Sequence, residues 1–255
     1  MLEAIALGIV QGLTEFLPIS STAHLILFPW FLNWGGEVNT LTFDVALHAG
    51  TLFALILFFW RDWLELIFKK QRLFKLIILA SIPAGVAGYL LNDIVENNLR
   101  KPIVISIMLI AVGILMLVAE RTNKHKGIEK TGLKDSLIIG IAQAIAIIPG
   151  VSRSGITISA GLFRGFEREA SARFSFLLST PLIAGATALH LKEALISQTN
   201  HDFRLFFAGI ITSFITGFIA IKFLLKFLKK NPLNLFVYYR FVLSAVIIAG
   251  IWLKG

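Results

Sequence analysis

The sequence predicts an all-α polytopic membrane protein built as an inverted repeat, in which each half is a re-entrant helical hairpin followed by three transmembrane helices. Three observations carry this: the composition, the spacing of long apolar stretches, and two apolar regions broken in the same manner. Of 255 residues, 56% are hydrophobic and only 15% charged, with a mean hydropathy of +0.81, whereas a soluble domain has about a quarter charged residues. There is no cysteine, which excludes disulfides and thiolate metal sites. The opening residues MLEAIALGIVQG lack a basic run and a small-residue cleavage site, so they are expected to belong to the fold and not to a removed signal.

In chain order, the first apolar region, 2–33, is interrupted at TEFLPISST. Each of its arms is too short for the roughly 20 apolar residues that a bilayer crossing needs. Three uninterrupted stretches follow, 43–60, 73–91 and 102–119, each long enough to cross. A second broken region, 137–163, is interrupted at PGVSRSG, and three more crossings follow at 174–191, 205–225 and 235–253. Irregular backbone at membrane depth is tolerated only where protein or a wet cavity surrounds it, so both broken regions are expected to be re-entrant hairpins.

The two breaks also resemble each other. Aligned without gaps, GIVQGLTEFLPISSTAH from Gly8 and GIAQAIAIIPGVSRSGI from Gly140 coincide at Gly8/Gly140, Ile9/Ile141, Gln11/Gln143 and Ser20/Ser152. The recurring order of one hairpin and three helices makes this an internal duplication, with repeats at 1–120 and 133–255 in a single membrane domain. An odd number of crossings per half inverts one half relative to the other. Lys and Arg number 17 in segments 61–75, 120–134, 164–173 and 222–230, against 5 in 1–42, 92–101, 192–204 and the C-terminus. The richer set is expected on the cytoplasmic side. This places both termini outside, Gly255 included, with the two hairpins entering from opposite faces. The net charge of +9 is then a topology signal, and nucleic acid is excluded as a partner. Arg240, near the inner end of the last crossing, is expected to snorkel to the cytoplasmic interface.

Ionisable groups within membrane segments mark a pathway or a site by default. At the first break stands Glu15, one helical turn after Gln11. Pro18 then ends that arm, and Ser20, Ser21 and Thr22 open the next, where hydroxyls and free backbone N–H groups suit an anion. His24 follows three residues after Ser21. At the second break, Arg153 lies between Ser152 and Ser154, with Thr157 a turn further on, and its planar fork is a natural clamp for phosphate oxygens. A structural ion pair between Arg153 and Glu15 is the bland alternative. Asp44 and His48 share a helix face in the first crossing, where Asp44 reads as a capping or dipole residue.

These two motifs, QGLTEFLPISSTAH and PGVSRSGIT, resemble the paired signatures of the bacterial undecaprenyl-diphosphate phosphatases of the bacitracin-resistance type, and the likeness in length, order and hydropathy extends over essentially the whole chain. The resemblance implies a multi-pass inner-membrane enzyme that removes the terminal phosphate of a polyprenyl diphosphate, regenerating the carrier lipid for peptidoglycan and conferring bacitracin resistance. For such a reaction the expected mechanism has Ser21 as nucleophile on the terminal phosphorus, Glu15 as base or orienting group, His24 as proton donor or relay, and Arg153, with Ser152, Ser154 and Thr157, neutralising the phosphate oxygens. Gln11, Ser20, Thr22, Ser152, Ser154 and Thr157 would line the substrate. Within the family pattern the position of Gln11 is acidic or amide; the amide here removes a carboxylate that could hold a metal. In the competing route water attacks, with Mg²⁺ or Ca²⁺ bridging the diphosphate and Glu15. Expected partners are the lipid substrate, membrane lipid and a second copy in a homodimer, with the site open to the periplasm. A transporter or flippase of a lipid phosphate is the alternative function, since broken helices in inverted repeats also serve transport.

Overall fold

A computed structural model describes residues 1–196 and 202–254; Gly255, expected on the outer side, lies outside the described residues. Among these the regular structure is helical. The first broken region forms α1 (Leu2–Phe16) and α2 (Ser21–Leu32). Three long helices follow, α3 (Leu41–Phe58), α5 (Gln71–Ile94) and α6 (Pro102–Glu120), with the short α4 (Trp60–Phe68) between the first two. The second broken region forms α7 (Leu133–Ile145) and α8 (Arg153–Phe163), followed by α9 (Arg168–Ile196), α10 (Phe203–Leu228) and α11 (Asn234–Lys254).

Six of these helices are long and apolar enough to cross a membrane: α3, α5, α6, α9, α10 and α11. They turn large apolar side chains outward, among them Phe53, Ile82, Ile107, Ile114, Ile219 and Val242. Such a surface is stable against hydrocarbon and not against water. The chain is therefore a multi-pass α-helical membrane protein. At 1.5 Å per residue the arms of the broken regions, 15, 12, 13 and 11 residues long, are shorter than a hydrocarbon core about 30 Å thick. They meet the requirement for buried irregular backbone by being enclosed by the long helices.

How they are enclosed explains the small residues. The first arm, α1, packs along α10, where a Cβ on Gly8 would lie 2.7 Å from the Gly209 carbonyl and 1.9 Å from Thr212 Oγ1. Likewise α7 packs along α5, where a Cβ on Gly140 would fall 2.3 Å from the Ala80 carbonyl. These backbones approach as small-residue helix pairs in membranes do. Between α6 and α11, Ser106 Oγ and Ser244 Oγ lie 2.6 Å apart, while Ser244 Oγ donates to the Ser106 carbonyl at 3.1 Å. The main core gathers at the inner ends of the arms, where Phe16 meets Phe176 edge-to-face at 5.4 Å.

Two details refine the sequence reading. The segment 61–75, which links two of the expected crossings, is not simply a connection: Trp60–Phe68 is helical. Trp60, Leu64, Ile67 and Phe68 are exposed on α4 while Arg61, Asp62 and Glu65 share it, the composition of a helix lying in the interface. Asp44 stands in the first turn of α3, where its charge suits the helix dipole, but it does not cap the helix. Thr40 Oγ1 accepts from the Phe43 N–H at 3.2 Å, and Asp44 instead pairs with Arg100 at 3.2 Å. On the opposite, basic side, Lys126 and Arg164 both bind Asp135, and Arg168 forks onto Glu120 at 2.7 to 3.0 Å. These pairs hold the connection between α6 and α7.

Candidate active site

Both breaks turn on a serine in the left-handed region. Ser20 has φ 77° and ψ 94°, and Ser152 has φ 70° and ψ 110°. Each is the N-cap of the half-helix that follows, so Ser21 and Arg153 are the first helical residues of α2 and α8. A non-glycine residue held at positive φ costs about 1–3 kcal/mol and persists where its surroundings over-determine it. Gly150, at φ 94°, seats the second break on α6, where a Cβ would come within 2.6 Å of the Ile105 carbonyl. Ser152 Oγ caps by accepting from the Gly155 N–H at 3.2 Å. Ser20 makes no side-chain cap. Among the described residues, the first backbone bond of α2 is from the His24 N–H to the Ser20 carbonyl, leaving the N–H groups of Ser21, Thr22 and Ala23 free for an anion.

Glu15 joins the two breaks. Its Oε1 accepts from Arg153 Nη2 at 2.7 Å, and its Oε2 from Ser21 Oγ at 2.6 Å and Gln11 Nε2 at 3.0 Å. His48 Nε2 stands 3.4 Å from the same Oε2. Ser21 and Arg153, 132 positions apart in the chain, are thus separated by one carboxylate and two hydrogen bonds. Beside them is a cavity of about 290 Å³. Glu15, Ser20, Ser21, Thr22, His48, Ser152 and Arg153 form its polar part; Val45, Ala146, Ile147, Ile148, Leu182, Ile183 and Ala186 form its apolar wall. Arg153 Nη1 is buried without a partner, a donor the ion pair with Glu15 leaves unused.

Other expected site residues are placed elsewhere. His24 does not line the cavity. Its Nδ1 donates to the Ser20 carbonyl at 2.7 Å, and its Nε2 accepts from Tyr239 Oη at 2.7 Å, so it braces the break from behind. Gln11 supports Glu15 from within the helix packing. Ser154 Oγ donates to the Leu17 carbonyl at 3.2 Å, linking the two breaks. Thr157 lies against Ser175 at 2.6 Å and its own helix at the Arg153 carbonyl. Arg240 does not snorkel: its residue is fully buried, bonded to backbone carbonyls of both breaks and α6. The carbonyls of Pro18, Gly150 and Val151 are partners that the helical breaks leave open, which a hydropathy plot cannot register.

The model of the family described as bacitracin resistance protein BacA matches residues 4–246. The chain belongs to this family. It is 55% identical over 247 residues to an undecaprenyl-diphosphatase of Thermodesulfovibrio yellowstonii, covering 97% of this chain and 96% of that protein. Undecaprenyl-diphosphatases of Moorella thermoacetica, 48% identical over 100% of this chain and 99% of theirs, and of Pelotomaculum thermopropionicum, 47% identical over 96% and 95%, match along the same extent.

In this BacA-family chain, two cavity residues escaped the sequence reading. His48 was set aside with Asp44 as part of a capped helix start, although its spacing from Asp44 did place both on one face. Thr187 belongs to a helix, α9, that carries no motif at all; the residue lines the cavity, and its Oγ1 is buried without a hydrogen-bond partner. For a divalent cation, the chain's own donor set is a poor fit. Among the described residues no cluster of three His, Cys, Asp or Glu side chains forms, and the one cavity carboxylate, Glu15, already accepts from Arg153, Ser21 and Gln11. Hard cations want six or more oxygen ligands, so Mg²⁺ or Ca²⁺ would have to bring most of its oxygens with the diphosphate.

Proposed function

We propose that this chain hydrolyses undecaprenyl diphosphate to undecaprenyl phosphate and inorganic phosphate, recycling the carrier lipid of cell-wall synthesis and thereby conferring bacitracin resistance. The observation that carries this reading is the single carboxylate, Glu15, holding a serine hydroxyl on one oxygen and an arginine on the other in the lining of a half-apolar cavity. The lipid tail lies along the apolar wall while the diphosphate head meets the two helix starts. Glu15 takes the proton of Ser21 as Oγ attacks the terminal phosphorus. The bridging P–O bond breaks and its electron pair leaves on undecaprenyl phosphate. Arg153, with Nη1 already free, and the open N–H groups of α2 neutralise the phosphoryl oxygens in the transition state. Water then hydrolyses the phosphoserine, returning its proton through Glu15. Ser20, Thr22 and Ser152 line the head-group end, and His24 fixes the Ser20 carbonyl so that α2 starts in place.

The membrane is the bacterial inner membrane, with the cavity reached from the periplasm; the excess of Lys and Arg in the segments assigned to the other face supports this orientation. An inverted duplication is supported by three likenesses: the paired Ser20 and Ser152 turns, α1 on α10 as α7 on α5, and the reciprocal Ser106–Ser244 contact expected of two elements crossing at a two-fold axis. The test is phosphate release from undecaprenyl diphosphate by detergent-purified protein, with and without chelator. Turnover is expected. A transporter or flippase releases none, and that result would overturn the reading. Loss of turnover with chelator would move the attack from Ser21 to a cation-assisted water.

A further inference from the structure

A guanidinium is permanently charged and carries five N–H donors in a rigid fork. Burying one without a carboxylate is costly, several kcal/mol even after relaxation, so its setting requires a reason. Arg240, on α11, is such a group: it is wholly inaccessible, and among the described residues no carboxylate pairs with it. Every partner is a backbone carbonyl. Nε donates to Leu109 at 3.1 Å, and Nη1 to Pro18 at 3.3 Å. Nη2 donates to Gly150 at 2.9 Å and to Met108 and Val151 at 3.2 Å.

Three of these carbonyls belong to the breaks, where no helical N–H can reach them. Pro18 follows the end of α1, whose dipole is negative there and favours a cation. Gly150 and Val151 sit in the turn before α8, and the other two carbonyls belong to α6, on which that turn is seated. Chain position gives the arrangement its consequence: Ser21 is three residues beyond Pro18, and Arg153 is two beyond Val151. We propose that Arg240 is a positioning residue that ties the two helix breaks to each other through their carbonyls and so sets the separation of Ser21 from Arg153. It lies outside the cavity and touches no substrate. The inference adds a third element to the site reading above, and only its kinetic arm depends on that reading.

Arg240→Lys keeps the charge and much of the stem but loses the fork, so its ammonium can serve at most three of the five carbonyls. Hydrogen exchange read by mass spectrometry on full-length protein in detergent is the direct probe. In the wild type, peptides covering 15–24 and 148–157 are expected to open together at one rate. In Arg240→Lys both should exchange at least tenfold faster, while peptides within α3 and α10 keep their protection. In the same folded variant, kcat for phosphate release should fall about a hundredfold, the scale of an ångström's misplacement, with KM within about threefold. A residue that merely filled space would not loosen two distant breaks in concert or divide kcat from KM. Faster exchange at one break alone, at neither, or at both with wild-type kcat overturns the proposal. If wild-type protein releases no phosphate, the phosphatase reading fails, and the exchange arm still decides the clamp. Should Arg240→Lys not fold, the wild-type experiment decides alone, since breaks that open at separate rates refute it.

Discussion

Replacing Glu15 by Gln tests the centre of the site with the smallest change of shape. In the wild type both oxygens of this carboxylate accept: one from Arg153 at 2.7 Å, the other from Ser21 at 2.6 Å and Gln11 at 3.0 Å. An amide has one accepting oxygen, so its NH₂ must face either the guanidinium or the Ser21 and Gln11 donors. With its oxygen on Arg153 its NH₂ can donate to Ser21 Oγ, which accepts as well as donates, so the ties persist without the charge; turned the other way it leaves the guanidinium unpaired, at about 1–3 kcal/mol. Arg153 borders the cavity and keeps some access to water, which puts the stability loss at the lower end. The kinetic loss is larger, because Glu15 is the one carboxylate lining the cavity and no other acid is placed to take the Ser21 proton. Removing a general base lowers kcat about 10²–10⁴-fold, or about 3–5 kcal/mol in the barrier. Phosphate release by folded, monodisperse Glu15→Gln in detergent measures it, with a thermal melt as the control for folding. Retention of more than about a tenth of wild-type kcat would refute the role of Glu15 as base.

Ser21→Ala should abolish turnover while the melt stays near wild type, and rapid quench of the wild type with substrate labelled at the terminal phosphate should trap phosphoserine at position 21; substantial Ser21→Ala activity sinks the nucleophile. Arg153→Lys should lose at least about tenfold in kcat/KM, because an ammonium cannot hold Glu15 and a phosphate oxygen on separate arms of one fork; near-normal kinetics would remove its role as clamp. His48→Asn should lower kcat about tenfold, a smaller effect than Glu15→Gln, since its 3.4 Å contact supports the carboxylate without tying either break; no change would make it a bystander. The chain has no cysteine, so single cysteines placed within 33–40 and 123–130 can be labelled without background by an impermeant thiol reagent in intact cells. The first should react and the second should not, and the reverse pattern would invert the orientation.

The helices and their order were legible because membrane burial writes itself into composition: a segment of 18 or more apolar residues has few alternatives. The breaks were legible for the converse reason, since Pro18, Glu15 and the serines are expensive at that depth. The meeting of Glu15, Ser21 and Arg153 follows from two short arms entering one core. What escaped was side-chain direction. His24 and Ser21 are three residues apart, which brings them near the same side of a helix but does not aim them alike; a tyrosine on α11 draws His24 away from the cavity. Arg240 was misread because its position in the last helix suggested reach toward water, whereas the acceptors that keep it inside are backbone atoms contributed by three other segments of chain. Backbone carbonyls carry no sequence signature. Thr187 likewise enters the site through the packing of α9 and nothing in its neighbours.

Ser21 and Arg153 each follow a left-handed serine and begin a half-helix, so the gapless alignment of the two breaks sets the proposed nucleophile against the proposed clamp. A symmetric ancestor made of two identical halves would have had two serines or two arginines at these positions, but not one of each. Glu15 has Ile147 as its counterpart, and Gln11 has Gln143, in the same register. On the duplication proposed above, the proposed chemistry requires halves that differ: the first supplies both the acid and the hydroxyl, Glu15 and Ser21, and the second supplies the guanidinium of Arg153.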